Sequence, residues 1–358
     1  MDAALALLPQ LSRDVPAPGS GSTAERWDLL SRLAGTDLVV ARVAEAHLDA
    51  LAILAEAEAH EAHEADKTDE ADRTDGAARA GAGVTAGVTA EVARRLGADE
   101  RSTWGVYAAE GPQSTLRAVP DGVGGYRLSG VKPWCSLAGR LSHALVTART
   151  GTQRQLFAVR LGTAVGTPAR APGVSVRTGG WHARGLAAVP SEPVDLLAVP
   201  AVPVGGPGWY LERPGFAYGG LGVAACWYGA LARLVDATRT AAGERPPDQL
   251  ALWHLGADDL DQHLARCALD HAATEVDAGR ATGPAGQALA LRTRSVVADA
   301  AERVITRSGH ARGPAPLALD DEHAQRVADL TLYLRQHHAE RDVAALGAMV
   351  HERGPAPR

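Results

Sequence analysis

Near its C-terminal end the chain carries adjacent histidines, His337-His338, shortly after Asp329-Leu330-Thr331-Leu332-Tyr333. An imidazole accepts a proton near neutral pH more readily than any other common side chain, which makes His337 a candidate general base. In a helix, Leu330, Leu334 and His337 would share one face, so the same ring can equally serve as a core histidine. A second group is Trp134-Cys135-Ser136, where an indole offers a flat stacking surface and a nearby hydroxyl a polar contact. The same tryptophan could instead fill the interior of a β barrel. In Arg307-Ser308-Gly309-His310-Ala311-Arg312-Gly313 a glycine stands among guanidiniums, a composition suited to an anion, although a glycine just past a helix end also acts as a C-cap. His60 and His63 lie among carboxylates, but the HExxH spacing is absent and no cysteine joins them, so they read as a solvated acidic run and no metal site is expected. The cysteines, Cys135, Cys226 and Cys267, are odd in number, far apart and without CxxC spacing, as expected of reduced thiols in a cytoplasm.

These groups must be positioned by 358 residues, enough for two or three domains. Hydrophobic residues make up 46% of the chain but aromatic residues only 4%, so the core must be built from Ala, Leu and Val, which favours closely packed helices. Lysine occurs only at Lys67 and Lys132 while arginine is abundant, a skew that fits GC-rich coding and carries no function. The net charge is -6, yet residues 56–75 alone hold nine acidic and two basic side chains, leaving the remainder near neutral. No basic stripe points to nucleic acid, and no apolar run reaches the roughly 18 residues a bilayer span requires. MDAALALLPQ lacks a basic region ahead of its apolar stretch, so no secretory signal is expected and the location expected is cytoplasmic.

Residues 27–57 carry apolar groups at helical spacing and read as two helices broken near Gly35-Thr36-Asp37, with Thr36 or Asp37 capping the second. Residues 58–90 lose the pattern in short tandem duplications (HEAHEA, DKTDEADRTDG, GVTAGVTA) and read as an inserted mobile loop. From Trp104 to about Leu211 the period becomes two, with several short strands and no helices between them, as in a barrel or sandwich. After Pro214 four helical segments are expected, near 217–242, 248–279, 284–308 and 322–349, with Asp248 as an N-cap and Gly243, Gly279 and Gly309 just past helix ends. The fold class expected is α+β, with helices over 1–103 that include an acidic insert near 56–90, a β domain over 104–212 and a four-helix bundle over 213–358.

This order of elements resembles the acyl-CoA dehydrogenase family. Gly125-Tyr126-Arg127-Leu128-Ser129-Gly130-Val131-Lys132-Pro133-Trp134-Cys135-Ser136 is similar to that family's hairpin, in which a G-x-x-L-x-G-x-K turn leads into a Trp-x-Ser/Thr strand. Trp104 to Gly111 resembles its Tyr-x-x-Thr-Glu-Pro strand, with Ala109 in place of the threonine and Gly111 in place of the proline. The likeness continues through GGWHARGLAAVPSEPVDLLAVPAVPVGGPGWY and DLTLYLRQHHAERDVAAL and covers most of residues 27–350. It implies FAD, with Trp134 and Ser136 at the isoalloxazine, Tyr107 and Ala109 on the strand whose backbone lines it, and Gly309 in a turn that approaches a neighbouring subunit's flavin.

The family's reaction is oxidation of the Cα–Cβ bond of an acyl thioester, on CoA or a carrier protein, by a carboxylate base acting with the flavin. Matching Asp329–Tyr333 to the family's D-x-x-x-Y stretch puts His337 at or beside the base position, and the second family position, Tyr218-Gly219-Gly220-Leu221-Gly222, holds no carboxylate. Two alternatives accompany this reading. One is a flavin monooxygenase on the same fold, with His337 or His338 near the flavin. The other is a member without catalysis that partners an active homologue. The resemblance implies a homo-oligomer of two or four chains, or that hetero-oligomer.

Overall fold

The computed structural model describes residues 1–74, 87–112, 114–162, 170–243 and 246–352, with side chains of 68–74 outside the description. Three helices open the chain: α1 (Asp2–Asp14), α2 (Thr23–Thr36) and α3 (Leu38–Thr74). The break between α2 and α3 falls where the sequence places it. Asp37 Oδ1 accepts hydrogen bonds from the N–H groups of Val39 and Val40, satisfying two donors that the first turn of α3 leaves open.

The loop expected from residue 58 is overturned as far as Thr74, because α3 runs straight through the acidic run. Alanine and glutamate are strong helix formers, and an irregular polar pattern does not lower that propensity. The run also has work on its inner side. Ala57 is buried, and Glu58 and Glu61 accept hydrogen bonds from Thr89 N–H and Val88 N–H at the start of α4 (Val88–Leu96). His60, expected to be solvated, stacks on Trp209 at 5.9 Å between ring centroids. The duplications over 75–86 lie outside the described residues.

The β region holds β1 (Trp104–Tyr107), β2 (Arg117–Pro120), β3 (Tyr126–Ser136), β4 (His143–Thr150), β5 (Gln153–Arg160), β6 (Val174–Val176) and β7 (Ser191–Val204). Strands β4, β2, β3, β7 and β5 pair in that order and β5 pairs back to β4, so the sheet closes into a small barrel and not a sandwich; β1 lies parallel on β4. Closure leaves few free edges. Residues alternate between two cores. Ala144, Val146, Phe157 and Val159 join the main core shared with the bundle. Leu145, Leu156 and Ala158 pack outward under α3 and α4, against Ile53, Leu54 and Val92.

After the short α5 (Trp209–Glu212) come α6 (Gly215–Gly243), α7 (Gln249–Asp277) and α8 (Gly283–Arg312). Asp248 caps α7 as expected by accepting from Ala251 N–H. Helix α6, apolar on nearly all sides, is the central rod, packed by α2, α3, α7 and α8. The fourth segment is not one helix. A short α9 (Ala315–Leu319) precedes it, and it divides into α10 (Asp321–Tyr333), a 3-10 turn (Leu334–Gln336) and α11 (Glu340–Glu352). Gly309 does not end α8, because the helix continues to Arg312 and Gly313, at φ +68°, provides the left-handed stop. Among the described residues no helix is long and apolar enough to cross a membrane.

Candidate functional site

The hairpin motif bends because of its own residues. Gly130, inside β3 where its register with β7 shifts, has φ +127°, and a Cβ there would strike the Thr115 carbonyl, so a side chain is excluded at that point of the strand. Lys132 then points into the barrel, where its Nζ donates to the carbonyl and the Oγ1 of Thr147 at 3.0 and 2.7 Å. Burial pulls its ammonium down to about 8. Pro133 cannot donate to the ladder, and the β3–β7 register slips between Lys132 and Cys135. Inside that bulge Trp134 takes φ +59° and turns its indole outward, leaving it 60% exposed. Trp134 therefore does not fill the barrel.

Two of the sequence-derived residues meet. The Tyr107 hydroxyl donates to the Ser136 carbonyl at 2.8 Å, and Ser136 Oγ lies 2.8 Å from Ser191 Oγ. They border a crevice between α3 and the barrel, lined also by Arg42, Ala46, Gly105 and Val189, with only about 10 Å³ of free space. Burial holds the Tyr107 phenol well above its usual range. Ala109, two residues beyond Tyr107, is exposed, and its N–H has no partner among the described residues.

Behind Arg42 lies a group that no sequence motif marked. Glu45 of α3 is 6% exposed, pairs with Arg42 at 3.0 Å and accepts from the Tyr333 hydroxyl at 3.4 Å. Burial drives its carboxyl up to about 7, opposed by Arg42 and reinforced by Asp49 one turn on. Asp49, half-buried, has no hydrogen bond or ion pair among the described residues. Its carboxyl is raised too, by burial first, against Arg213 and Arg26 and with help from Glu56.

The opposing surface is the glycine run of α6. A Cβ at Gly215 or Gly219 would strike the Glu56 or Asp49 carboxylate, and one at Gly222 would lie 3.9 Å from Glu45 Cγ. The stretch 218–222 contains no carboxylate of its own, yet its bare backbone admits those of α3. A sequence signal existed, since Glu45 stands among buried Ala41, Ala44 and Leu48 on the apolar face of its helix.

His337 occupies a neighbouring place. It follows the 3-10 turn in extended backbone, so it does not share a helical face with Leu330 and Leu334. Its Nε2 lies 3.0 Å from Ser295 Oγ and 3.8 Å from Asp342 Oδ2, beside a cavity of about 420 Å³ between α8 and α11. Burial lowers its affinity for a proton, Arg294 adds to this and Asp342 opposes it. Trp227 stands between it and the Glu45 group, with its ring 6.4 Å from His337 and 6.2 Å from Tyr333. His338 is exposed, bonded to Asp342 at 3.1 Å. Gly309 lies within α8, and Arg307 is not free to meet an anion. Its Nε binds Asp258 at 2.6 Å and its Nη2 binds Asp261, in a buried network that includes Arg303. Among the described residues no group of three or more His, Cys, Asp or Glu side chains is placed to hold a metal ion.

No protein-family model and no curated protein matches the sequence. Solved structures do match. KijD3, in complex with FMN and dTDP-3-amino-2,3,6-trideoxy-4-keto-3-methyl-D-glucose, is 17% identical, with 99% of this chain and 92% of that one covered and a TM-score of 0.68. Butyryl-CoA dehydrogenase from Megasphaera elsdenii is 15% identical over 98% of this chain and 88% of its own, at a TM-score of 0.70. XiaF from Streptomyces sp., in complex with FADH2 and glycerol, is 16% identical over 94% and 83%, at 0.67.

Proposed function

We propose that this chain, which has the acyl-CoA dehydrogenase fold, is a flavin-dependent oxidoreductase that removes a proton from Cα and a hydride from Cβ of an acyl thioester. The observation that carries the proposal is the juxtaposition, in that fold, of the Tyr107–Ser136 crevice with a buried carboxyl, Glu45, one ion pair behind it.

The residues fit a flavin on its outer side. Trp134 offers an exposed indole for stacking, and the exposed residue Ala109 an N–H that has no partner among the described residues for a polar ring edge. Ser136 Oγ is the nearby hydroxyl. A bound flavin, as FAD, supplies the hydride acceptor. The protein's own part is to orient the thioester, exclude water and take the α proton. Glu45 is the carboxylate placed for that step, and its elevated pKa brings it close to the working pH of a general base. Arg42, which lines the crevice, must swing away for substrate to enter, and the same movement releases Glu45 from its ion pair. His337 is the second candidate base, on the far side of Trp227.

The test is anaerobic titration of the flavin-loaded protein with a panel of acyl-CoAs and acyl-carrier thioesters. Bleaching of the flavin is the expected result. A loaded protein that no thioester bleaches refutes the proposal. Product formed only with oxygen and supplied reduced flavin would assign monooxygenation, and a protein that takes up no flavin would assign a partner role to the fold.

A further inference from the structure

Helix α11 packs on α8 without a buried residue of its own. Protein interiors are close-packed, so a helix seated in this way leaves space beneath it. That space is the cavity of about 420 Å³ between the two helices, a volume within the range of small-ligand pockets. Much of its lining is apolar. Ala298 and Leu334 are buried, and Val343 of α11, half exposed, borders them.

The charged lining is acidic. Asp299, Glu302 and Glu340 stand against one guanidinium, Arg335, which is already paired with Glu302. The carboxylates of Asp299 and Glu340 have no hydrogen bond or ion pair among the described residues. Arg294, next to His337, is engaged by the carbonyls of Gly220 and Gln336 and by the face of Trp227. A polar group also borders the cavity from the interior. His337 is 7% exposed, and its Nε2 meets Ser295 Oγ at 3.0 Å, with Asp342 Oδ2 3.8 Å away. A carboxylate beside Nε2 favours the proton on that nitrogen, so Nδ1 keeps a lone pair, and it has no partner among the described residues. No three of these side chains are close enough to hold one metal ion, so the acceptors suit a molecule that spans them.

We infer that this cavity binds a small organic cation, a primary or secondary amine on an apolar body. The body replaces water against Ala298, Leu334 and Val343, and the ammonium N–H groups donate to the free acceptors, His337 Nδ1 and the carboxylates of Asp299 and Glu340. An anion would meet unpaired carboxylates and no free guanidinium, and a neutral molecule would leave the carboxylates unmatched. Trp227 stands between His337 and the Glu45 group, so binding here does not depend on the proposed reaction.

The experiment is calorimetric titration of the full chain with cyclohexylmethylamine, cyclohexylmethanol and cyclohexanecarboxylate, which keep the body and change the charge. The amine is expected to bind about tenfold more tightly than the alcohol, the scale of one charge-assisted hydrogen bond, and the carboxylate not at all. Asp299→Asn combined with Glu340→Gln should weaken the amine about tenfold and leave the alcohol unchanged. Val343→Trp, which fills the cavity from a half-exposed position, should abolish binding of both with an unchanged helical circular-dichroism signal. An amine that does not bind below about 10 mM overturns the inference, as does one held no more tightly than the alcohol. Amine affinity that survives intact in the folded double variant places the cation elsewhere and overturns it as well.

Discussion

The buried carboxyl of Glu45 makes a prediction that needs neither flavin nor substrate. Its pKa is raised from 4.5 to about 7, chiefly by burial. In the unfolded chain the group ionises near 4.5, so between that value and about 7 the folded state binds the proton that the unfolded state has released. Protonated Glu45 therefore favours the fold. Its contribution is fully present below about 4.5 and is lost as the pH rises through about 7. A tenfold difference in proton affinity corresponds to about 1.4 kcal/mol, so the rise from 4.5 to about 7 is worth about 3 kcal/mol. Glu45→Gln keeps the shape and removes the titration. Asp49 and the other carboxylates contribute their own slopes in both proteins, which makes the difference between the two curves the quantity to read. Urea unfolding at intervals from about pH 4.5 to about pH 8.5 should show the variant gaining about 3 kcal/mol relative to wild type over that range, the rise centred between the two pKa values. Parallel stability curves would refute the assignment of Glu45 as a buried carboxyl that carries a proton at mildly acidic pH.

Three further outcomes are expected. Trp134→Ala should lower flavin retention with little change in melting temperature, because the indole is mostly exposed in the flavin-free fold; equal flavin occupancy in wild type and variant would remove Trp134 from the site. Loss of the carboxylates that meet the start of α4, in a Glu58→Ala/Glu61→Ala pair, should cost about 1–2 kcal/mol in urea unfolding, the usual scale for removed N-terminal caps, and an unchanged midpoint would mean the acidic end of α3 does not pack. In flavin-loaded protein that thioesters bleach, Glu45→Gln should slow reduction by about 10²–10⁴-fold and abolish a rise in rate with pH through about 7, whereas the same loss in His337→Ala but not in Glu45→Gln would move the base to the histidine.

Much of the scaffold was legible in the order of residues because its signals are local. The break at Asp37, the cap at Asp248 and the two-residue period of β4 and β5 follow from which backbone groups need partners and which faces alternate. Local signals also misled. The acidic run looked like a loop because it lacks an apolar face, yet its helix is held by alanine and glutamate propensity and by two carboxylates that reach α4, 27 and 31 residues farther along the chain. Gly309 has the composition of a helix stop, but a glycine marks an end only where the backbone turns left-handed, and that residue is Gly313. That the Tyr107 hydroxyl meets the Ser136 carbonyl was not legible, because the two come from separate strand motifs whose strands do not pair with each other; of the two, the hairpin motif named Ser136 alone. It left the direction of Trp134 open, since that depends on a register slip between β3 and β7, strands 55 residues apart at Ser136 and Ser191. Glu45 needed the tertiary structure most. A carboxylate on one helix and a glycine run on another have no relation in sequence, and only the close approach of α3 and α6 buries the first against the second, raises its affinity for a proton and sets it behind the crevice.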